Sequence, residues 1–173
     1  MKILAVQNRM GIGDMVIFLP FIEAIAKKFK VPVSILVKDS SKAIQFLSDN
    51  KNIEKIIILD RDNKKRSGRH DGIIGSLNLV SDLKKFNFDK VFIFNSSLRY
   101  NLISKVARIK EIYQYPLFQK KNQHIIKTAQ NFLKNKINLN IESNPEILIN
   151  SNLIKDANDK YKINTDQLNI LLG

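Results

Sequence analysis

The parts of this sequence equipped for chemistry are a carboxylate set behind two glycines and a dense run of cations some fifty residues later. In Gln7-Asn-Arg-Met-Gly-Ile-Gly-Asp-Met-Val16, a polar stretch gives way to a long apolar one at Asp14. Gly11 and Gly13 permit backbone angles or close approaches that a side chain forbids. An aspartate at a helix start caps free N–H groups, and the same carboxylate within reach of a substrate hydroxyl can accept its proton. Residue type leaves both roles open, and they are compatible, because a helix N-terminus favours negative charge. The spacing matches neither G-x-G-x-x-G nor a Walker A loop, which argues against a dinucleotide or P-loop site.

The cations lie in Asp60-Arg-Asp-Asn-Lys-Lys-Arg-Ser-Gly-Arg-His70. Arg61, Lys64, Lys65, Arg66 and Arg69 form either an anion-binding surface, with arginines offering paired contacts to phosphate or carboxylate, or a solvated charged loop. Arg99 stands in a Ser96-Ser97-Leu98-Arg99 turn whose serines read equally well as helix caps. Arg9, beside the glycines, is a further candidate, and His124 reads as structural. With no cysteine and two histidines, thiol catalysis, disulfides, Cys-based zinc sites and multi-histidine metal centres fall away.

These residues need a scaffold, and 173 residues at 44% hydrophobic suffice for one core. Short β-branched runs alternate with amphipathic segments, the pattern of βα units on a parallel sheet. Strands are expected at 2–7, 31–37, 53–59, 90–95 and 111–114, with helices at 14–29, 40–48, 75–86, 97–108 and 123–136. Leu77, Val80, Leu83 and Phe86 are expected on the core face of the third helix. The result is a doubly wound, Rossmann-like α/β sheet. Its ligands are expected beyond the carboxyl ends of the strands, where Asp14, the basic loop and Arg99 all fall.

The stretch 138–152, rich in Asn with an apolar run at 147–149, reads as an edge strand or linker. A helix is expected at 155–161 and a new buried strand at 168–173. The expected division is residues 1–150 as one domain and 151–173 as a linker plus the first strand of a second, truncated domain. The net charge of +13 calls for an anionic partner. No zinc-finger spacing, helix-turn-helix pattern or aromatic RNA-binding motif is visible, so nucleic acid is not the expected one. No apolar run of membrane-spanning length and no basic leader is present, which places the protein in the cytoplasm as an expectation.

The phrase Arg-x-Gly-x-Gly-Asp14, followed by an apolar helix carrying Pro20, resembles the N-terminal signature of family 9 glycosyltransferases, the bacterial heptosyltransferase group. Proline inside a helix costs roughly 3 kcal/mol, so pattern alone does not put it there. Asn52 to Asp60, Phe88 to Arg99, and His124 with Thr128 and Phe132 are similar to later phrases of that family, in the same order. The resemblance covers residues 1 to about 136.

It implies the acceptor-binding half of a two-domain GT-B enzyme transferring a sugar, heptose from ADP-heptose in much of the family, to the lipopolysaccharide inner core with inversion. Asp14 is then the base, and Arg9, Gly13, Arg61, Lys64, Lys65, Arg66, Ser97 and Arg99 contact an anionic acceptor. The nucleotide-sugar donor binds the other half, no metal or other cofactor is required, and this chain alone is expected to be inactive. Peripheral contact with the inner face of the inner membrane is a further expectation. Another GT-B sugar-processing enzyme, a polysaccharide pyruvyl transferase and a basic nucleic-acid-binding module remain as alternatives.

Overall fold

The computed structural model describes residues 1–9, 11–62, 65, 67–116, 124–142, 144–147 and 151–163. Five strands, β1 (Ile3–Gln7), β2 (Val33–Val37), β3 (Ile53–Ile58), β4 (Lys90–Ile93) and β5 (Glu111–Gln114), form one all-parallel sheet in the order β3-β2-β1-β4-β5. Between them run α1 (Ile12–Phe29), a short 3-10 turn (Asp39–Ser41), α2 (Ala43–Leu47), α3 (Gly72–Lys84) and α4 (Leu98–Val106). Helices α5 (Ile125–Ile137) and α6 (Ser151–Tyr161) follow. This is the doubly wound, Rossmann-like α/β arrangement expected from the sequence.

β1 and β2 are buried along their whole length, which is why they read as unbroken apolar runs: a parallel sheet is covered on both faces. Alternation along β1 divides the core. Ile3 and Ala5 join α1 and α5 on one face, and Leu4 and Val6 join α3 and α4 on the other. On the α5 side, Phe94 meets Phe18, Phe132 and Tyr115 edge-to-face at 5.2, 5.5 and 6.0 Å between ring centroids, a favoured aromatic geometry. β3 closes one edge, where exposed Glu54 and Lys55 discourage pairing with another strand.

The chain leaves β1 towards β2 and β3, then crosses back to lay β4 on β1's other side. The crevice beyond the carboxyl ends of β1 and β4 is therefore the topological switch point.

Three expectations are corrected. α1 begins at Ile12 with Gly11 at its N-cap, so Asp14 sits in the first turn and is not the cap. Gly11 takes φ of +106°, which only glycine adopts freely, and this ends the loop two residues early. In α3 the core face is Gly75, Leu79, Val80 and Leu83, while Leu77 is 60% exposed. A spacing of three drifts around a helix of 3.6 residues per turn, and the buried line follows the spacing of four. Of the two readings of 138–152, no strand occurs among the described residues of 138–147, which leaves the linker, while the apolar run at 148–149 and the strand expected at 168–173 lie outside the described residues. α6 begins four residues before the helix expected there. Among the described residues, no helix is long and apolar enough to cross a membrane.

Candidate anion-binding rim at the switch point

Gln7 ends β1 at the switch point. It is 1% exposed, and neither its amide oxygen nor its amide nitrogen has a partner among the described residues. Asn8 follows and ties the crevice together: its amide donates to the Tyr100 hydroxyl (3.3 Å), and its oxygen accepts from the Asn95 amide (3.1 Å). Asn95 also accepts from the Ser97 N–H (2.8 Å). Gln114 at the end of β5 donates to the carbonyls of Asn95 and Ser97, and Asn101 donates to it in turn. Ser97 occupies the N-cap position of α4 without a side-chain capping bond, so Asn95 organises that turn.

The charged loop after β3 is a built structure. Asp71, whose side chain is 6% exposed, accepts from the backbone N–H of Asp62 (2.8 Å) and Gly68 (3.0 Å) and pairs with Arg61 (3.1 Å). The bond from the Asp62 N–H, followed by that from Arg61, holds the Asp71 carboxyl below its usual range. His70, buried, accepts at Nδ1 from the Asp60 N–H (3.1 Å), so its neutral form carries the proton on Nε2, 3.2 Å from Asp82. Gly68 is required because a Cβ there meets the Asp60 carbonyl at 2.7 Å. Gly75 is required because α3 lies directly on the His70 backbone, 2.2 Å from where a Cβ would stand.

This clasp delivers Arg61 to the rim. Burial works against the Arg61 charge, but the neighbouring Tyr100 hydroxyl and the paired Asp71 outweigh burial and leave it above its ordinary value. Arg99, in the first turn of α4, donates from Nη2 to the His70 carbonyl, and its buried Nε has no partner. Lys38, which follows β2 and is 8% exposed, completes the group. Burial, and then the charge of Arg61, hold both Lys38 and Arg99 below their ordinary values. Among the described residues Asp71 is the one carboxylate acting on all three cations, so the group carries a surplus of positive charge.

Tyr115, just beyond β5, is a further polar group without a partner: its hydroxyl is buried and unbonded, and burial pushes it up while nearby Arg9 opposes. Every buried side-chain nitrogen or oxygen left without a partner among the described residues belongs to Gln7, Arg99 or Tyr115, all at the carboxyl ends of the strands. Buried polar groups in folded proteins are almost always satisfied, and exceptions at this end of the sheet mark where a ligand can supply the missing bonds. A net cationic group with a free guanidinium nitrogen suits an oxyanion such as a phosphate or carboxylate.

Of the residues singled out from the sequence, Arg61 and Arg99 are brought together. Asp14, half-buried in the first turn of α1, makes no hydrogen bond or ion pair among the described residues. Gly13 beside it has open space where a Cβ would stand and no unusual φ, so the fold does not demand glycine there. Arg9 is exposed on the β5 side, and Lys65 is exposed with its N–H donating to Asp62. Arg69 faces away from the rim and pairs with Asp82. Lys64 and Arg66 lie outside the described residues. Reading the sequence missed Lys38, Gln7, Tyr100 and Asp71. A strand followed by a polar residue at the switch point was a usable signal for Gln7, and nothing distinguished Lys38 from the other lysines.

No protein-family model matches the sequence, and no curated protein matches it. Solved structures do. A glycosyl transferase family 9 protein from Veillonella parvula superposes with a TM-score of 0.67 over 93% of this chain and 49% of that one, at 18% identity. The E. coli ADP-heptose lipopolysaccharide heptosyltransferase II gives 0.64 over 95% and 52%, at 13% identity. E. coli heptosyltransferase WaaC with ADP-2-deoxy-2-fluoro heptose gives 0.55 over 83% and 50%, at 12% identity. At these identities the likeness is one of fold, and the chain spans about half the length of the structures it matches.

Proposed function

We propose that this chain is the acceptor-binding half of an inverting glycosyltransferase. The observation that carries the reading is the gathering of Lys38 and Arg99 around Arg61 at the switch point, with the buried Arg99 Nε left without a partner among the described residues. That is a receptor for an anionic, hydroxyl-bearing ligand, set at the end of the sheet where α1 presents Asp14. In this reading Arg61, Arg99 and Lys38 take phosphate or carboxylate groups of a lipopolysaccharide-core acceptor. Arg9, Lys65 and Ser97 contribute at its margin, together with Lys64 and Arg66.

Asp14 accepts the proton of the acceptor hydroxyl as that oxygen bonds to the anomeric carbon. The bond from that carbon to the donor diphosphate breaks on the opposite face, and the nucleotide diphosphate leaves with the electron pair. A carboxylate not engaged by the protein is free for this work. The open space at Gly13 lets the acceptor approach the first turn of α1, whose N-terminal dipole also favours an anion. A nucleotide-sugar donor, ADP-heptose by the likeness to the heptosyltransferases, is held by a second domain. The resemblance of Arg-x-Gly-x-Gly-Asp14 and Pro20 to the family 9 signature supports the same assignment, which includes no metal or other cofactor.

The test is transfer of heptose from ADP-heptose by the full-length parent carrying Asp14→Asn. The substitution keeps the shape and removes the proton acceptor, so the expected loss is about 100-fold or more in kcat. Transfer near the wild-type rate would overturn the assignment of Asp14.

A further inference from the structure

Six of the fourteen large apolar side chains exposed among the described residues lie on α3 and α4: Ile73, Ile74, Leu77, Leu98, Leu102 and Val106. Isolated exposed apolar residues are ordinary, but a concentration on two adjoining helices is not. On α4 they stand at intervals of four, and Ile73 and Leu77 of α3 do the same, so each set forms a stripe along its helix.

Hydrogen bonds fix which way the stripes face. Asn78 donates to the Arg69 carbonyl (3.0 Å) and Asp82 holds His70, so that flank of α3 is turned onto the clasp. Arg99 reaches from α4 to the His70 carbonyl, while Asn101 reaches the other way to Gln114 on β5. On those bearings the Ile73 and Leu77 flank of α3 is turned away from the clasp and the Leu98, Leu102 and Val106 stripe of α4 away from the sheet, on two helices that adjoin. Ile73 is 85% exposed and Leu102 55%.

The charge on this surface has one sign. Within α3 and α4 the single acid is Asp82, turned onto the clasp and held by Arg69, His70 and Lys85. Lys84 and Lys105 are exposed. At the foot of the two helices an open cleft of about 530 Å³ is lined by Lys84, Arg108 and Lys110, with Asp89 as its one acid.

We propose that the α3–α4 face docks on an anionic phospholipid bilayer, its apolar stripes entering the interface between headgroups and acyl chains and its lysines meeting lipid phosphates. Apolar area supplies one part of such binding and cations near the surface supply the other. A second copy of the chain is the poorer occupant. A two-fold contact sets a patch against itself, which here brings like charges together on a protein already at +13. The inference rests on the exposed face and not on the transferase reading.

The test is flotation of the 173-residue protein with vesicles of phosphatidylcholine alone or with about a third phosphatidylglycerol. Binding is expected to the anionic vesicles and to fall about tenfold or more in both Leu77→Ser/Leu102→Ser and Lys84→Glu/Lys105→Glu. Since the chain has no tryptophan, a Leu102→Trp variant reports the face directly, with a blue shift of its emission expected on anionic vesicles. Three results would overturn the proposal: equal binding to neutral vesicles, a Leu77→Ser/Leu102→Ser protein that binds like wild type, or vesicle-bound Leu102→Trp protein with unshifted emission. A concentration-dependent dimer that Leu77→Ser/Leu102→Ser abolishes would also overturn it, in favour of a second copy.

Discussion

Replacing Gly75 with alanine sets two opposing effects against each other at one atom. Alanine is the better helix former, worth about 1 kcal/mol over glycine in a helix interior. The new Cβ, however, would lie 2.2 Å from the His70 carbonyl carbon, 2.7 Å from its Cα and 2.8 Å from its oxygen. All three atoms are backbone and none can rotate away. The clasp behind them is pinned by the His70 bonds to Asp60 and Asp82 and by the Asp71 bonds, so α3 itself must move. Overpacking of this kind costs about 1–3 kcal/mol, and an immobile partner argues for the upper end. The net destabilisation is about 2 kcal/mol, a fall in Tm of roughly 4–8 °C for a chain of this size.

Thermal unfolding followed by circular dichroism reads it. Gly13→Ala is the matched control, also helical but with open space at the Cβ, and its Tm should hold or rise by roughly 2–4 °C. If Gly75→Ala unfolds at the wild-type temperature, or if both variants fall alike, the account of the α3–clasp contact is wrong.

Other consequences are testable with equally simple means. Asp82 is held at a pKa of about 2: burial pushes it up, but hydrogen bonds from Lys85, His70 and Arg69 outweigh that. Its folded value lies below the ordinary 3.8, so its contribution is present above about pH 4 and lost as pH falls towards about 2. Urea unfolding should therefore show wild type more stable than Asp82→Asn at pH 5, with the gap closing by pH 2.5; a gap that persists at the lower pH refutes the linkage. Asp71→Ala removes the acceptor for the Asp62 and Gly68 N–H groups and the partner of Arg61, so trypsin should cut at Arg61, Lys65 or Arg69 several-fold faster. An unchanged digestion rate would mean that Asp71 does not hold the clasp.

How much of this was readable beforehand depended on whether the signal was local. The five strands and the helices between them are visible because buried parallel strands are continuous apolar runs, and the switch point follows from their order. Asp14 could be placed beside the crevice, but not off the cap, since that turned on the positive φ of Gly11. Leu77 was misassigned because α3 carries apolar residues on both faces, so periodicity alone cannot say which is inward. The clasp was hidden for another reason. Asp60, His70 and Asp71 act by folding a charged stretch onto itself, and a run of charges looks the same whether solvated or locked. Lys38 is one cation among many until tertiary structure sets it beside Arg61.

The position of β1 between β2 and β4 has a consequence for the protein during its own synthesis. Ile3 pairs with Val33 on one side but with Lys90 on the other. At about 5–20 residues per second, several seconds or more separate the ribosome's release of those two partners. Through that interval Ile-Leu-Ala-Val is an apolar strand with one open edge, able to pair with another nascent chain. The crevice that gathers Asn8, Asn95 and Gln114 closes later still, once β5 has emerged. The central strand is thus the first of the five to be made and among the last to be fully enclosed, and conditions that slow elongation lengthen the period in which aggregation competes with folding.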